Sequence, residues 1–178
     1  MSQHSAANLQ PKKCKDSLVF RTGRVFPNDM NNHSTLFGGK LMSLIDEVSS
    51  ISAMRHCRNS VVTASTDSVD FLRPIREMDS VCLESYVTHT GTTSMEVFVK
   101  VISEDLLTGE RNVAATSFIT FVSMDKDGRP SPVPPIIPET DEEKLLNESA
   151  PERSALRKQR RAASKALAAK LALHKYWE

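Results

Sequence analysis

The chain has 178 residues and is 39% hydrophobic, enough for one packed domain with some additional chain. Its 23 Lys and Arg against 22 Asp and Glu leave a net charge of +1, which excludes whole-surface attraction to nucleic acid. No apolar run is long enough to cross a bilayer, and the polar start MSQHSAANLQPKK lacks a signal-peptide core, so a cytoplasmic location without a membrane partner is expected. Residues 1–15 are polar and expected to be disordered. Leu18 to Val25 reads as a strand ending before Pro27 and Asn28. A polar loop, Asn31-Asn32-His33-Ser34-Thr35, then leads through the paired glycines Gly38 and Gly39 into a helix running to about Arg55.

Leu41, Leu44, Ile45, Val48 and Ile51 form the apolar stripe of that helix. At about 100° per residue, Leu44 and Val48 project roughly opposite Asp46, so the carboxylate is expected to point away from the stripe. Its neighbours on that side, Gly39, Met42, Ser43, Ser49, Ser50 and Ala53, are small apart from Met42, which lets a ligand or a second backbone come close. The free N–H groups of the first turn, at Gly38 and Gly39, carry partial positive charge and suit an oxyanion. Asp46 lies about 10 Å further along the axis. One substrate lying on this face can therefore meet both a donor pair and a base.

Four strand candidates follow: Ser60 to Leu72, Ser80 to Thr90, Thr93 to Glu104 and Arg111 to Met124. The links between them are too short for parallel crossovers, so the sheet is expected to be antiparallel. This predicts an α+β fold in which a curved antiparallel sheet of about five strands wraps one central helix. Edge strands of such a sheet invite a second chain, and a homodimer is expected. Asp125 to Gly128 reads as a turn, and Pro130, Pro132, Pro134, Pro135 and Pro138 impose an extended linker that closes a domain spanning residues 16–138. Residues 139–178 read as a separate, basic, helical extension in two pieces, Thr140 to Glu148 and Pro151 to Glu178. Arg157, Lys158, Arg160, Arg161, Lys165 and Lys170 there could touch nucleic acid, but a charged helical face is far more often solvated, and nucleic acid is not an expected partner.

Cys14, Cys57 and Cys82 are an odd number at wide spacings, without C-x-x-C or a paired Cys/His pattern, so neither a disulfide framework nor a metal site is expected. There is no G-x-S-x-G for a serine hydrolase. His33 is the only histidine in the loop before the helix, and no second element supports it as the base of a dehydratase.

The segments N-N-H-S-T-L-F-G-G-K-L-M-S-L-I-D-E, A-M-R-H-C, V-V-T-A-S-T-D-S-V-D-F-L-R-P-I, G-T-T-S-M-E-V and L-L-T-G-E-R, in this order, closely resemble the hotdog-fold acyl-CoA thioesterases, in particular the bacterial cytosolic acyl-CoA hydrolases. The resemblance spans about Leu18 to Pro138. It implies hydrolysis of an acyl-CoA thioester to a free acid and coenzyme A without a metal or cofactor, and a double-hotdog dimer, often assembled further into a trimer of dimers. Carried over by motif, the family's helical acid falls on Asp46, as general base or nucleophile. Its loop Asn falls on Asn31 and its strand Thr on Thr63, both able to position water or the carbonyl.

The resemblance also points to Arg73, Gly91, Thr92 and Ser94 as contacts for coenzyme A. Arg73 can pair with a phosphate as a fork of donors. The sequence departs from relatives at Ser34, where they carry glycine; if that position needs positive φ, serine imposes strain on the order of 1 kcal/mol. A hotdog domain can also bind acyl-CoA without turnover, as a sensor or regulatory protein. Asn31, Asp46 and Thr63 together favour the enzyme.

Overall fold

Helix α1 (Gly38–Cys57) begins at the paired glycines and ends where Arg58 turns into the left-handed region, at φ 58°, its N–H closing on the Met54 carbonyl. The computed structural model describes residues 9–174. Around α1 the chain forms β1 (Lys12–Lys13), β2 (Val19–Arg24), β3 (Ser60–Phe71), β4 (Ser80–Thr90), β5 (Ser94–Glu104), β6 (Arg111–Met124), β7 (Ile136–Ile137) and α2 (Asp141–Ala168). Strands β2, β4, β5, β6 and β3 pair in that order, every ladder antiparallel, so the expected five-stranded sheet wraps the helix and leaves β2 and β3 as edges. The sheet does not close.

Alternation along the strands explains both faces. Val97, Val99 and Val101 of β5 point inward with Val81, Leu83, Val87, Ile119 and Phe121, and pack on α1. Phe98 points the other way and meets Tyr86 and Phe118, with ring centroids 6.0 and 5.1 Å away. This second apolar face is covered by Leu146 of α2 and Leu18.

Three expectations are corrected by the structure. First, α1 is rotated from the face read off its apolar stripe. The buried side carries Leu41, Ile45, Val48, Ser49, Ser52, Ala53 and His56, while Leu44 is half-buried and Ile51 exposed. The polar members are tolerated inside because each finds a partner: the Ser49 hydroxyl donates to the Ile45 carbonyl, Ser52 bonds Ser85, and the His56 ring bonds the Pro134 carbonyl at 2.7 Å. Ser49 and Ala53, on the Asp46 side by helical spacing, are buried within the protomer and so offer no open surface to a ligand there. Asp46 sits beside the buried face, about 100° round from Ile45, and not opposite it.

Second, of the N-terminal segment expected to be disordered, residues 1–8 lie outside the described residues, and the part from Leu9 is structured. Lys12 and Lys13 run parallel to Ile136 and Ile137, the Lys12 ammonium donates to the His56 carbonyl, and Cys14 is fully buried. Burial pushes the Cys14 thiol up to about 12, so it packs as an inert group.

Third, the C-terminal extension does not stand apart, nor does Pro151 divide it. α2 runs unbroken through Pro151 across the outer face of the sheet. Pro151 has no N–H for the Asn147 carbonyl, and side chains brace the turn before it: Ser149 donates to the Leu145 and Leu146 carbonyls, and Arg153 to Leu146 at 2.6 Å. The Asn147 amide donates to the Thr88 carbonyl, and Tyr86 and Lys100 both donate to Glu142.

Candidate active site

Asp46 leaves α1 two turns from its start and faces the edge strand β3, where the Thr63 hydroxyl donates to its Oδ1 at 3.0 Å. Both side chains are exposed in the protomer. Thr63 pairs in register with Phe121, so it points to the helix side of the sheet, and the ladder slips between Thr63 and Ser65. A bulge there re-aims the strand just beyond the contact.

Asn31 spends its amide on its own loop. Its Oδ1 accepts from the backbone of His33 at 2.8 Å and Thr35 at 3.3 Å, and its Nδ2 donates to the Thr35 hydroxyl at 2.9 Å. One amide proton remains for a ligand. Within this turn Ser34 has φ 57°, the positive value that makes glycine the natural occupant.

Phe37 occupies the N-cap of α1 without a capping side chain, and no acid lies in the first turn, so the N–H groups at Gly38 and Gly39 are open to a substrate oxygen. Space is tight at Gly39 and ordinary at Gly38. A Cβ on Gly39 would come within 2.5 Å of the Phe37 ring, and one on Gly38 within 3.5 Å of Phe71. A cavity of about 280 Å³ opens here, lined by Asn31, Gly38, Leu41, Phe71 and Arg73.

The expected residues thus fall into three groups. Asp46 and Thr63 touch, while Asn31, Gly38 and Arg73 share a cavity. Gly91, Thr92 and Ser94 form the β4–β5 hairpin, where the Gly91 N–H donates to the Ser94 carbonyl and the Thr92 carbonyl accepts from Val133. Arg73 lies near Ser103 and Asn112 at the opposite end of β5, about 30 Å away at 3.3 Å per residue.

Sequence reasoning missed Asp67. It is the extra residue at a second bulge in β3 and turns to the outer face, where Arg157 and Arg160 of α2 hold it at 2.9 and 2.6 Å. Next to it the Glu96 carboxylate, 2% exposed, takes two bonds from Arg153, which also stacks on Phe118 at 4.1 Å. Arginines at 153, 157 and 160 share one helical face, and the aromatic outer positions Tyr86, Phe98 and Phe118 mark a covered sheet; together they were the available signal.

A helix wrapped by an antiparallel sheet, here with a carboxylate two turns along the helix from its open N-terminus, is the architecture of the hotdog thioesterases. Residues 33–110 match the model of the Thioesterase superfamily. The chain is 63% identical over 164 residues to the uncharacterized acyl-CoA thioester hydrolase YkhA of Bacillus subtilis, covering 92% of this chain and 95% of that protein. It belongs to the acyl-CoA thioester hydrolase family.

Among solved structures, acyl-CoA hydrolase from Bacillus cereus matches with a TM-score of 0.90 at 54% identity, over 92% of this chain and all of that one (100%). Acyl-CoA hydrolase from Staphylococcus aureus, in complex with butyryl coenzyme A, coenzyme A and coenzyme A disulfide, matches with a TM-score of 0.85 at 45% identity, over 88% and 95%. Alanine variants of that enzyme at one Asp, one Thr and one Asn are also similar, with TM-scores of 0.88, 0.85 and 0.89. A hexameric acyl-CoA thioesterase matches with a TM-score of 0.84 at 48% identity, over 86% and 99%.

Proposed function

We propose that this protein hydrolyses acyl-CoA thioesters to a free acid and coenzyme A, with Asp46 as the base or nucleophile. The observation that carries the reading is the Thr63 hydroxyl on Asp46 Oδ1, which orients the carboxylate and leaves Oδ2 for a water or the substrate. In the base form, Oδ2 accepts a proton as the water oxygen attacks the carbonyl carbon. Asp46 stands about 10 Å along α1 from its own Gly38 and Gly39, so the oxyanion collects at the N–H groups of those two residues in the partner subunit of the dimer described below, with the remaining Asn31 amide proton on the carbonyl or the water. Collapse breaks the C–S bond, and the thiolate takes the proton back from Asp46. The Asn, Asp and Thr replaced in the Staphylococcus aureus enzyme fall at the same spacing along the chain as Asn31, Asp46 and Thr63, which supports these roles.

The reading includes a second copy paired along the free edge of β3. Phe37, Met42, Met54, Val62, Phe71 and Leu72, on α1, the loop before it and the β3 region, are large apolar side chains left exposed in the protomer, more than a monomer gains by exposing. Pairing would cover them, seclude Asp46 from bulk water and bring Arg73 and the Gly91–Ser94 hairpin onto one substrate from different subunits. The hexameric relative agrees with such an assembly.

The test is release of free thiol from a panel of acyl-CoAs by the native chain and by Asp46→Ala. Turnover lost with Asp46 supports the reading. Binding of acyl-CoA with no thiol release at any chain length replaces it with a sensor.

A further inference from the structure

α2 crosses the outer face in strand order. Asn147 bonds β4, Arg153 bonds Glu96 on β5 and stacks on Phe118 of β6, and Arg157 and Arg160 reach Asp67, Ser65 and Thr66 on β3. Arg160 is thus the point at which the helix passes over the edge of the sheet. Yet α2 continues to Ala168, about 12 Å further at 1.5 Å per residue, or more than two strand widths beyond β3. In the protomer those turns cover nothing.

Along one flank of α2 run Leu145, Leu156 and Leu167, which are 66%, 58% and 60% exposed. Eleven residues separate each from the next, close to three full turns, so the three lie in one line. The line borders the docked face without being part of it.

We infer that the end of α2 is an interaction surface for a second copy of this chain, in which two α2 helices lie antiparallel on the shared outer face with Leu156 against the partner's Leu167 and Leu167 against the partner's Leu156. This rests on the β3-edge dimer proposed above. A two-fold axis between two paired β3 strands lies half a strand spacing, about 2.4 Å, outside β3. Starting from Arg160, that distance is covered within one to two residues of α2. The midpoint between Leu156 and Leu167 falls at the same place, between Arg161 and Ala162, as an isologous contact requires. On the sheet side of the overhang stand Ser164 and Ala168, small enough for close approach to the partner's strands.

Short bismaleimide cross-linking of the full chain tests this. Leu156→Cys combined with Leu167→Cys is expected to run as a two-chain band on a denaturing gel. With the partly exposed Cys82 replaced by Ser throughout, the chain carrying only the buried Cys14 and Cys57, and Leu145→Cys combined with Leu167→Cys, are expected not to. Replacing Leu156 and Leu167 by Asp is expected to raise the dimer dissociation constant at least tenfold.

A dimeric wild-type chain whose 156/167 pair gives no band, or whose 145/167 pair gives an equal one, overturns the helix pairing alone. A monomeric wild-type chain overturns the β3-edge dimer as well. Leucine-dependent pelleting with anionic vesicles and no band would assign the line to a lipid surface and overturn the pairing. An unchanged dissociation constant in the Asp variant does the same.

Discussion

Thr63 on an edge strand donates its hydroxyl to Asp46 on the central helix at 3.0 Å, and this contact ties the sheet to the candidate base. A hydroxyl on one carboxylate oxygen restricts rotation about χ2 and leaves the other oxygen free to accept a proton. The two residues thus have separable roles.

Asp46→Asn is expected to lower kcat by about 10³-fold, within the usual range for loss of a general base. Thr63→Val, which only frees the carboxylate, is expected to cost roughly 10-fold to 100-fold in kcat with KM little changed, and Thr63→Ser to restore most of it. Steady-state thiol release measures both. Equal losses for Asn and Val would assign Thr63 a direct part in the chemistry.

Ser34 holds φ 57° in the loop that Asn31 organises. Ser34→Gly is expected to stabilise the fold by about 0.5–1 kcal/mol by releasing left-handed strain, partly offset by the extra freedom of the unfolded chain. Urea denaturation gives the difference directly, and a loss of stability would contradict the strain argument.

Arg153→Met removes the main partner of a buried carboxylate. It is expected to destabilise by about 3 kcal/mol or more, because Glu96 stays 2% exposed without its fork of donors. Adding Glu96→Gln should recover part of that loss. A double-mutant cycle showing no coupling would mean that α2 docks through apolar contact alone.

Acid should weaken the fold in two stages. Burial lowers the pKa of His56, aided by its geometry: Nε2 must carry the proton to reach the Pro134 carbonyl, and Nδ1 is buried without a partner for a second one. The unfolded chain takes up that proton first, so the His56 contribution is complete above about pH 6.5 and declines as pH falls below it. Burial alone would raise Asp67, but hydrogen bonds from Ser65, Thr120 and Arg157 outweigh it and hold the carboxyl below its usual range. Its contribution is complete above about pH 4 and is lost at lower pH. His56→Gln, which keeps a donor for Pro134, should reduce the first stage in thermal melts taken from pH 8 to 5, leaving the share of His89, whose pKa burial also lowers, and leaving the second stage unchanged.

The bounds of β4 and β6 match those read from alternation and turns, because each strand packs along its whole length and ends at a turn. Motif order led to Asp46 and Thr63, which the structure brings into contact, and the expected glycine pointed to the positive φ at Ser34. Helix rotation was not legible: Ser49, Ser52 and His56 look like a solvent face until their partners at Ile45, Ser85 and Pro134 are known. Nor was the docking of α2, since its arginines answer carboxylates at Asp67 and Glu96 that lie far back in the chain.

By itself the sequence determined the order and type of the elements and the antiparallel sheet around one helix, and it nominated Asn31, Asp46 and Thr63 as site candidates, because periodicity, turn chemistry and motif spacing are local properties. Tertiary structure alone decided which side of α1 is inside, that the basic C-terminal segment is a docked helix, and that Arg73 and the Gly91–Ser94 hairpin stand at opposite ends of the sheet. Those outcomes depend on partners distant in the chain. A buried serine, histidine or arginine is stable only where a second group satisfies it, and no local pattern records where that group will be.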